Sequence, residues 1–383
     1  MNVLRSSRLT VLALAAALAL SACGSDNNTS DNTSDPVAGP GDASGSKSAS
    51  GSPSGGDITC AKGALTGAGS SAQKNAMDEW VKTYQVECDG ATVNYQSVGS
   101  GAGIQQFIAG TVDFAGSDSA LKDDEQPKAD ARCQTGSAIN LPMVVGPIGV
   151  AYNLSGVDNL ILDAPTIAKI FSDQIKTWND PAIAALNPDA TLPSTPIQAF
   201  HRSDSSGTTD NFTKYLKAAA GDAWTFDNGK EWMAPGGQGA KGNEGISVGV
   251  QQTDGGVGYL ELSFIKNNDL SAAKVETGNG SPVELTTENA GKAVEAAKIK
   301  GTGNDLKLSI DYGTKADGVY PIVLVTYEIV CEKGTAADKV DLLKGFLNYT
   351  ASEQGQSGIS NLGYGPLPAS FITKVRASVD ALG

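Results

Sequence analysis

Residues 63–115 read GALTGAGSSAQKNAMDEWVKTYQVECDGATVNYQSVGSGAGIQQFIAGTVDFA, and their hydrophobic periodicity alternates along the stretch. Gly63 to Gly67 has the length and composition of a short strand. Ala76, Trp80 and Tyr84 then recur at i, i+4 and i+8, which places them on one face of a helix. Thr92 to Ser97 alternates as a strand does, Ile104, Phe107 and Ile108 mark a second helix, and Val112 to Ala115 is a third short strand. A β-α-β-α-β order implies a parallel sheet with helical crossovers, so the fold class is α/β.

Beyond this unit, Ile139–Tyr152 is an apolar run too long for one average strand. Helices are expected at Thr209–Ala219, with Phe212, Tyr215 and Leu216 inward, and at Thr287–Ile299. A strand is expected at Pro321–Val330, and two closing helices near Ala337–Tyr349 and Ser370–Leu382. Residues 58–383 exceed the usual size of a single core, so two domains are expected. No second linker is visible, which places the crossovers within the long strands Ile139–Tyr152 and Pro321–Val330. The expected division is residues 58–145 with 323–383 in one lobe and 146–322 in the other.

Before the folded part, Met1 to Cys23 carries Arg5 and Arg8, an apolar run Leu9–Leu20, and then Leu20-Ser21-Ala22-Cys23. That is the layout of an export signal over residues 1–22, and its run is shorter than the about 20 residues a membrane helix needs. Leu-Ser-Ala-Cys resembles the bacterial lipobox, which makes Cys23 a lipidation site; the alternative is a plain signal peptide with an incidental cysteine. Gly24 to Asp57 is rich in Gly, Ser, Asp, Asn and Thr, with Val37 its only large aliphatic residue. Such a segment cannot bury enough surface to offset ordering entropy and reads as a tether reaching roughly 30–35 Å. The folded part is therefore expected outside the cytoplasmic membrane, anchored to its outer face.

The chain of 383 residues has 28 Lys+Arg against 42 Asp+Glu, a formal charge of −14, which argues against nucleic acid as a partner. A single histidine, His201, excludes sites with two imidazole ligands and leaves one candidate base for a serine or cysteine triad. Four cysteines follow Cys23: Cys60, Cys88, Cys133 and Cys331. In an oxidising compartment they allow two disulfides in three pairings. Cys60 precedes one expected strand and Cys88 the next. If those strands are neighbours, Cys60–Cys88 is favoured and Cys133–Cys331 follows by elimination. No C-x₂-C spacing points to zinc, and neither a metal nor a cofactor is expected.

Three segments put small polar residues and glycines directly before an amphipathic helix: Thr66–Gln73 (TGAGSSAQ), Val98–Ile104 (VGSGAGI) and Arg202–Thr209 (RSDSSGTT). Helix N-termini present unpaired N–H groups and a partial positive charge, hydroxyls add donors, and glycine lets backbone approach closely. Ordinary Ser/Thr N-caps look the same one at a time. Neither a P-loop nor G-x-G-x-x-G occurs. Gly245-Ile246-Ser247-Val248-Gly249 matches the G-x-S-x-G nucleophile elbow, yet it reads as helix and its histidine lies on the wrong side in sequence.

The segments Thr66–Gln73, Asn94–Leu121 and Phe200–Phe212 resemble the phosphate-binding proteins of the phosphate-specific ABC transporter, the PstS family, in its actinobacterial lipoprotein form. Leu141-Pro142, Ile170–Leu192, Gly255–Glu261 and Tyr320-Pro321-Ile322 add to a likeness spanning nearly all of residues 62–372. The resemblance implies a two-lobed type II periplasmic-binding-protein fold that closes like a Venus flytrap on one phosphate. It implies donors from Ser71, the Ala72 N–H and Ser100, with Asp118 accepting a hydrogen bond from the phosphate's own proton. From the other lobe it implies Arg202, Ser206, the Gly207 N–H and Thr208, with Asp204 orienting Arg202. Many relatives have Thr-Phe where this chain has Ser71-Ala72, so an aromatic contact is lost. The implied role is non-enzymatic: a monomer that captures phosphate and delivers it to a membrane permease. The rivals are another tetrahedral oxyanion (sulfate, molybdate or arsenate) in the same fold, and a secreted phosphatase or esterase built on Ser247.

Overall fold

The computed structural model describes residues 58–383; the export signal, Cys23 and the tether lie outside the described residues. The opening unit is strand β1 (Gly63–Gly69), helix α1 (Lys74–Glu87), strand β2 (Ala91–Ser97), helix α2 (Ser100–Ile108) and strand β3 (Phe114–Ser117). β1 pairs in parallel with both β2 and β3, as the alternating pattern of residues 63–115 implies. α1 buries Ala76, Met77, Trp80 and Tyr84, and the Trp80 indole N–H donates to the Gly355 carbonyl at 2.7 Å. Helix α3 (Gln126–Cys133) follows, with Ala129 and Cys133 inward.

The apolar run 139–152 is one strand, β4 (Ala138–Asn153), buried along almost its whole length. At about 3.3 Å per residue it spans about 50 Å, long enough to serve two sheets in succession. The chain continues through β5 (Ile161–Asp163), α4 (Ala164–Phe171), α5 (Pro181–Leu186), β6 (Gln198–Arg202) and α6 (Gly207–Ala219). Then come β7 (Gln238–Ala240), α7 (Gly242–Gln252), β8 (Gly256–Glu261), α8 (Leu262–Asn267), β9 (Ser271–Ala272) and β10 (Lys274–Glu276). Helix α9 (Thr287–Glu295) precedes the short strands β11 (Lys298–Ile299) and β12 (Leu308–Ser309). β13 (Val323–Cys331) is followed by α10 (Val340–Thr350), α11 (Glu353–Ser360) and α12 (Ala369–Asp380). The helix expected over 287–299 thus stops at Glu295, because Lys298 and Ile299 pair antiparallel with Ser309 and Leu308.

The strand order is β2-β1-β3-β13-β4-β8-β6-β7. Residues 138–147 of β4 pair antiparallel with β13, and residues 148–153 pair antiparallel with β8. β4 therefore passes from a half built on β1–β3 to a half built on β6–β8. Beside that passage Tyr320 donates to the Ile148 carbonyl at 2.9 Å, and the Ile148 N–H donates to Ile322 at 2.8 Å. The segment 304–308, expected with the second half, bonds instead to the first: Asn140 N–H and Nδ2 donate to Asp305, Lys307 to Gln126, and Asn304 to Glu332. Cys60–Cys88 ties the chain before β1 to the end of α1, and Cys133–Cys331 ties α3 to the end of β13. No helix among the described residues is long and apolar enough to cross a membrane.

Candidate anion site at the strand ends

Open α/β sheets gather ligand groups beyond the carboxyl ends of their strands. β1 ends at Gly69, whose φ is +150° and where a Cβ would collide with the Gly116 carbonyl of β3. That approach fixes the turn before α1 and buries Ser70 and Ser71 just beyond the carboxyl end of β1. β2 ends before Gly99 (φ +95°), which starts α2 with Ser100 as its first residue. β6 ends at Arg202, and Ser206 caps α6 by accepting from the Thr209 N–H at 3.1 Å. In the first turn of α6, the N–H groups of Gly207 and Thr208 find no acceptor among the described residues.

Asp118, just past β3, gathers these pieces. It is 3% exposed and accepts from Ser70 Oγ at 2.5 Å and Thr326 Oγ1 at 3.0 Å on one oxygen, and from Thr208 Oγ1 at 3.2 Å on the other. Its N–H donates to Ser100 Oγ at 3.2 Å, and its carbonyl accepts from Asn211 Nδ2 at 2.7 Å. Burial pushes the Asp118 carboxyl upward, while the hydroxyls of Ser70, Thr326 and Thr208 and the Arg202 charge oppose it.

Arg202 is 2% exposed. Its Nε and Nη2 donate to the two Asp204 oxygens at 2.7 and 2.5 Å, and Nη1 reaches Thr208 Oγ1 at 3.3 Å. Burial alone would raise the Asp204 carboxyl; the hydrogen bonds and charge of Arg202 outweigh it and hold the group below the usual range. The pair is neutral and rigid, with one edge of the guanidinium left over.

The residues read from the sequence converge, with one qualification. Ser71, Ser100, Asp118, Arg202, Ser206, Gly207 and Thr208 form one buried cluster, and Asp204 backs Arg202. Ala72 differs: its N–H already donates to Ser70 Oγ at 3.0 Å. Sequence reasoning missed Ser70, Thr326, Asn211, Tyr259 and Asn243. Tyr259 accepts from the Arg202 N–H at 3.0 Å and lies 2.7 Å from Thr209 Oγ1, so it fixes the end of β6 against α6. Ser70, Asn211 and Tyr259 lie inside the segments that carry the resemblance but have no signature that sets them apart from their neighbours, and Thr326 and Asn243 lie outside them.

Ser247 lies within α7 and donates to the Glu244 carbonyl at 2.9 Å, one turn of ordinary helix rather than a strand-to-helix corner. His201 stacks on Trp232, centroids 5.1 Å apart, with Nδ1 at 3.1 Å from the Arg202 carbonyl. The elbow reading therefore has neither its geometry nor its base. Among the described residues no group of three or more His, Cys, Asp or Glu is placed to hold a metal ion.

A two-part sheet with convergent helix starts between the parts defines a periplasmic-binding-protein architecture, and the PBP superfamily domain model matches residues 38–354. A solved phosphate-binding protein from Stenotrophomonas maltophilia superposes with a TM-score of 0.65 at 21% identity, covering 82% of this chain and 93% of that one. A human phosphate-binding apolipoprotein gives the same figures. At such identity these establish the fold. Sequence goes further: the chain is 44% identical over 372 residues to the phosphate-binding protein PstS 3 of Mycobacterium tuberculosis, covering 96% of each. To PstS 2 of the same organism it is 42% identical over 387 residues, covering all of both. The chain belongs to the PstS family.

Proposed function

We propose that the protein is a non-enzymatic receptor that binds one inorganic phosphate between the two halves of its sheet and passes it to an ABC permease for import. The halves act as lobes, residues 58–145 with 323–383 against 146–322, and β4 and the Tyr320–Ile322 segment leading into β13 are the hinge, with the 304–308 segment riding on the first lobe. Ser71 and Ser100 donate from one lobe; Arg202, Ser206 and the N–H groups of Gly207 and Thr208 donate from the other. The Ala72 N–H contributes if it exchanges Ser70 Oγ for a ligand oxygen. The protein works outside the cytoplasmic membrane, exported by residues 1–22 and held by lipid on Cys23.

The observation that carries this reading is a buried carboxylate, Asp118, set among donors whose one cation is already offset by Asp204. A site for a fully deprotonated anion would not hold an acceptor. Phosphate at neutral pH keeps a proton and sulfate does not, so Asp118 rewards the first and repels the second. An incoming P–OH replaces the Thr208 hydroxyl at Asp118, which frees that hydroxyl to donate to the ligand. Sites built on one matched polar partner discriminate by about 10⁴–10⁵-fold. Arsenate also carries a proton and competes. Calorimetry of the full-length protein with phosphate and sulfate tests the reading: tight phosphate binding with sulfate undetectable is expected, and equal affinity for the two refutes it.

A further inference from the structure

Asn243, wholly buried at the start of α7, bonds across the two halves of the sheet. Its backbone N–H and its Nδ2 both donate to Ser71 Oγ, each at 3.0 Å. Nδ2 also lies 3.5 Å from Thr208 Oγ1, at the outer limit of a bond. The amide cannot be turned round, because Oδ1 accepts from the Glu261 N–H at 2.9 Å and a flip would set two donors face to face. The preceding residue contributes as well: the Gly242 N–H donates to Asp204 Oδ1 at 3.1 Å, so α7 begins against both the Arg202 pair and Ser71.

A serine hydroxyl has two lone pairs and one proton. Asn243 occupies both lone pairs of Ser71, so the hydroxyl has no acceptor capacity left and its only remaining function is donation. Among the described residues no group takes that proton. We infer that Asn243 is a positioning residue that fixes Ser71 as an obligate donor toward the bound oxyanion, and does so only when the two lobes meet. Deepening the proposed function and resting on it, this links lobe closure to the polarity of the site: apart, Ser71 is free to accept or donate; together, it can only donate. Asn243 thereby favours an acceptor-rich anion over water, which offers both donors and acceptors.

The test is a double-mutant cycle on the full-length protein, with phosphate affinity read by calorimetry. Ser71→Ala and Asn243→Ala should each weaken binding by about tenfold, as expected for a lost hydrogen bond to a charged group, and the double variant should be no weaker than Ser71→Ala within about twofold. Losses that simply multiply overturn the inference while leaving phosphate binding intact. Asn243→Asp guards against a folding defect, since it keeps the bond from Glu261 N–H but offers Ser71 an acceptor. Its loss should be smaller in the Ser71→Ala background than in the native one, and equal losses in both overturn the inference. A native protein that binds no phosphate overturns the functional reading itself.

Discussion

Asp118 and Thr208, 90 residues apart and in opposite halves of the sheet, are joined by a bond of 3.2 Å from the threonine hydroxyl to the carboxylate. The bond marks where a ligand proton is accepted in the proposed site. Asp118→Asn replaces one acceptor oxygen by an NH₂ donor at constant shape. Phosphate should lose affinity and sulfate should gain it, narrowing their ratio by about 10²-fold or more. Competition calorimetry reads this directly; an unchanged ratio contradicts the role of Asp118.

Gly207 sits where the lobes touch. A Cβ there would lie 2.6 Å from Ser100 Oγ, 2.7 Å from Asp118 Cβ and 2.9 Å from the Asp118 nitrogen, all groups of the opposite half. Gly207→Ala should therefore obstruct closure while leaving each lobe folded. Phosphate affinity should fall by at least about tenfold, consistent with about 1–3 kcal/mol for overpacking, with a melting temperature changed by only a few degrees in phosphate-free buffer. Affinity within twofold of native would show that the halves need not approach this closely.

Glu328, on β13 opposite Gly116 and Leu141, is buried with neither carboxyl oxygen hydrogen-bonded, and Gln73 Oε1 is likewise unpartnered. Burial, opposed by Gln73 and reinforced by the Asp118 charge, pushes Glu328 up to about 8. A carboxyl raised in the folded state binds its proton more tightly there than in the unfolded chain. Its contribution to stability is complete below the ordinary glutamate value and is lost as the pH rises through about 8. Glu328→Gln stays neutral throughout. Thermal melts from pH 5 to 9 should show the variant gaining on the native protein as pH rises; parallel curves contradict a protonated Glu328.

Lys230 and Glu125 form an ion pair at 2.6 Å with side chains only 5% and 11% exposed. The Lys230 carbonyl also accepts from the Ser206 N–H at 2.9 Å, so the pair ties the start of α6 to the residue just before α3. Lys230→Met strands a buried carboxylate and should cost about 3 kcal/mol in urea denaturation. Adding Glu125→Leu should restore most of that loss, since two apolar side chains leave no unpaired charge. Failure of the second change to rescue would show that the pair is not what holds these segments.

Legibility in the sequence followed the range of the interactions. Residues 63–115 were readable because helical and strand periodicities are local and the unit is contiguous. β4 was visible as an apolar run, but that one strand serves two sheets depends on pairing with β13 and β8, which no local pattern encodes. β5, β7 and β9–β12 are two or three residues long, too short for any periodicity. In the site, Ser100, Arg202 and Thr208 stood out because glycine-rich helix starts concentrate donors. Asn243 and Tyr259 did not, since a buried amide or phenol acquires its task only from what the fold sets against it. Ser70 was hidden by its neighbour: two adjacent serines look alike until β1 decides which faces Asp118.

The most direct measurement is a crystal structure of the protein grown with phosphate. The account predicts one anion held by Ser71 Oγ, Ser100 Oγ, the Arg202 guanidinium and the start of α6, with a phosphate oxygen within hydrogen-bonding distance of Asp118. An anion bound elsewhere, or an Asp118 carboxylate turned away from it, would contradict the account.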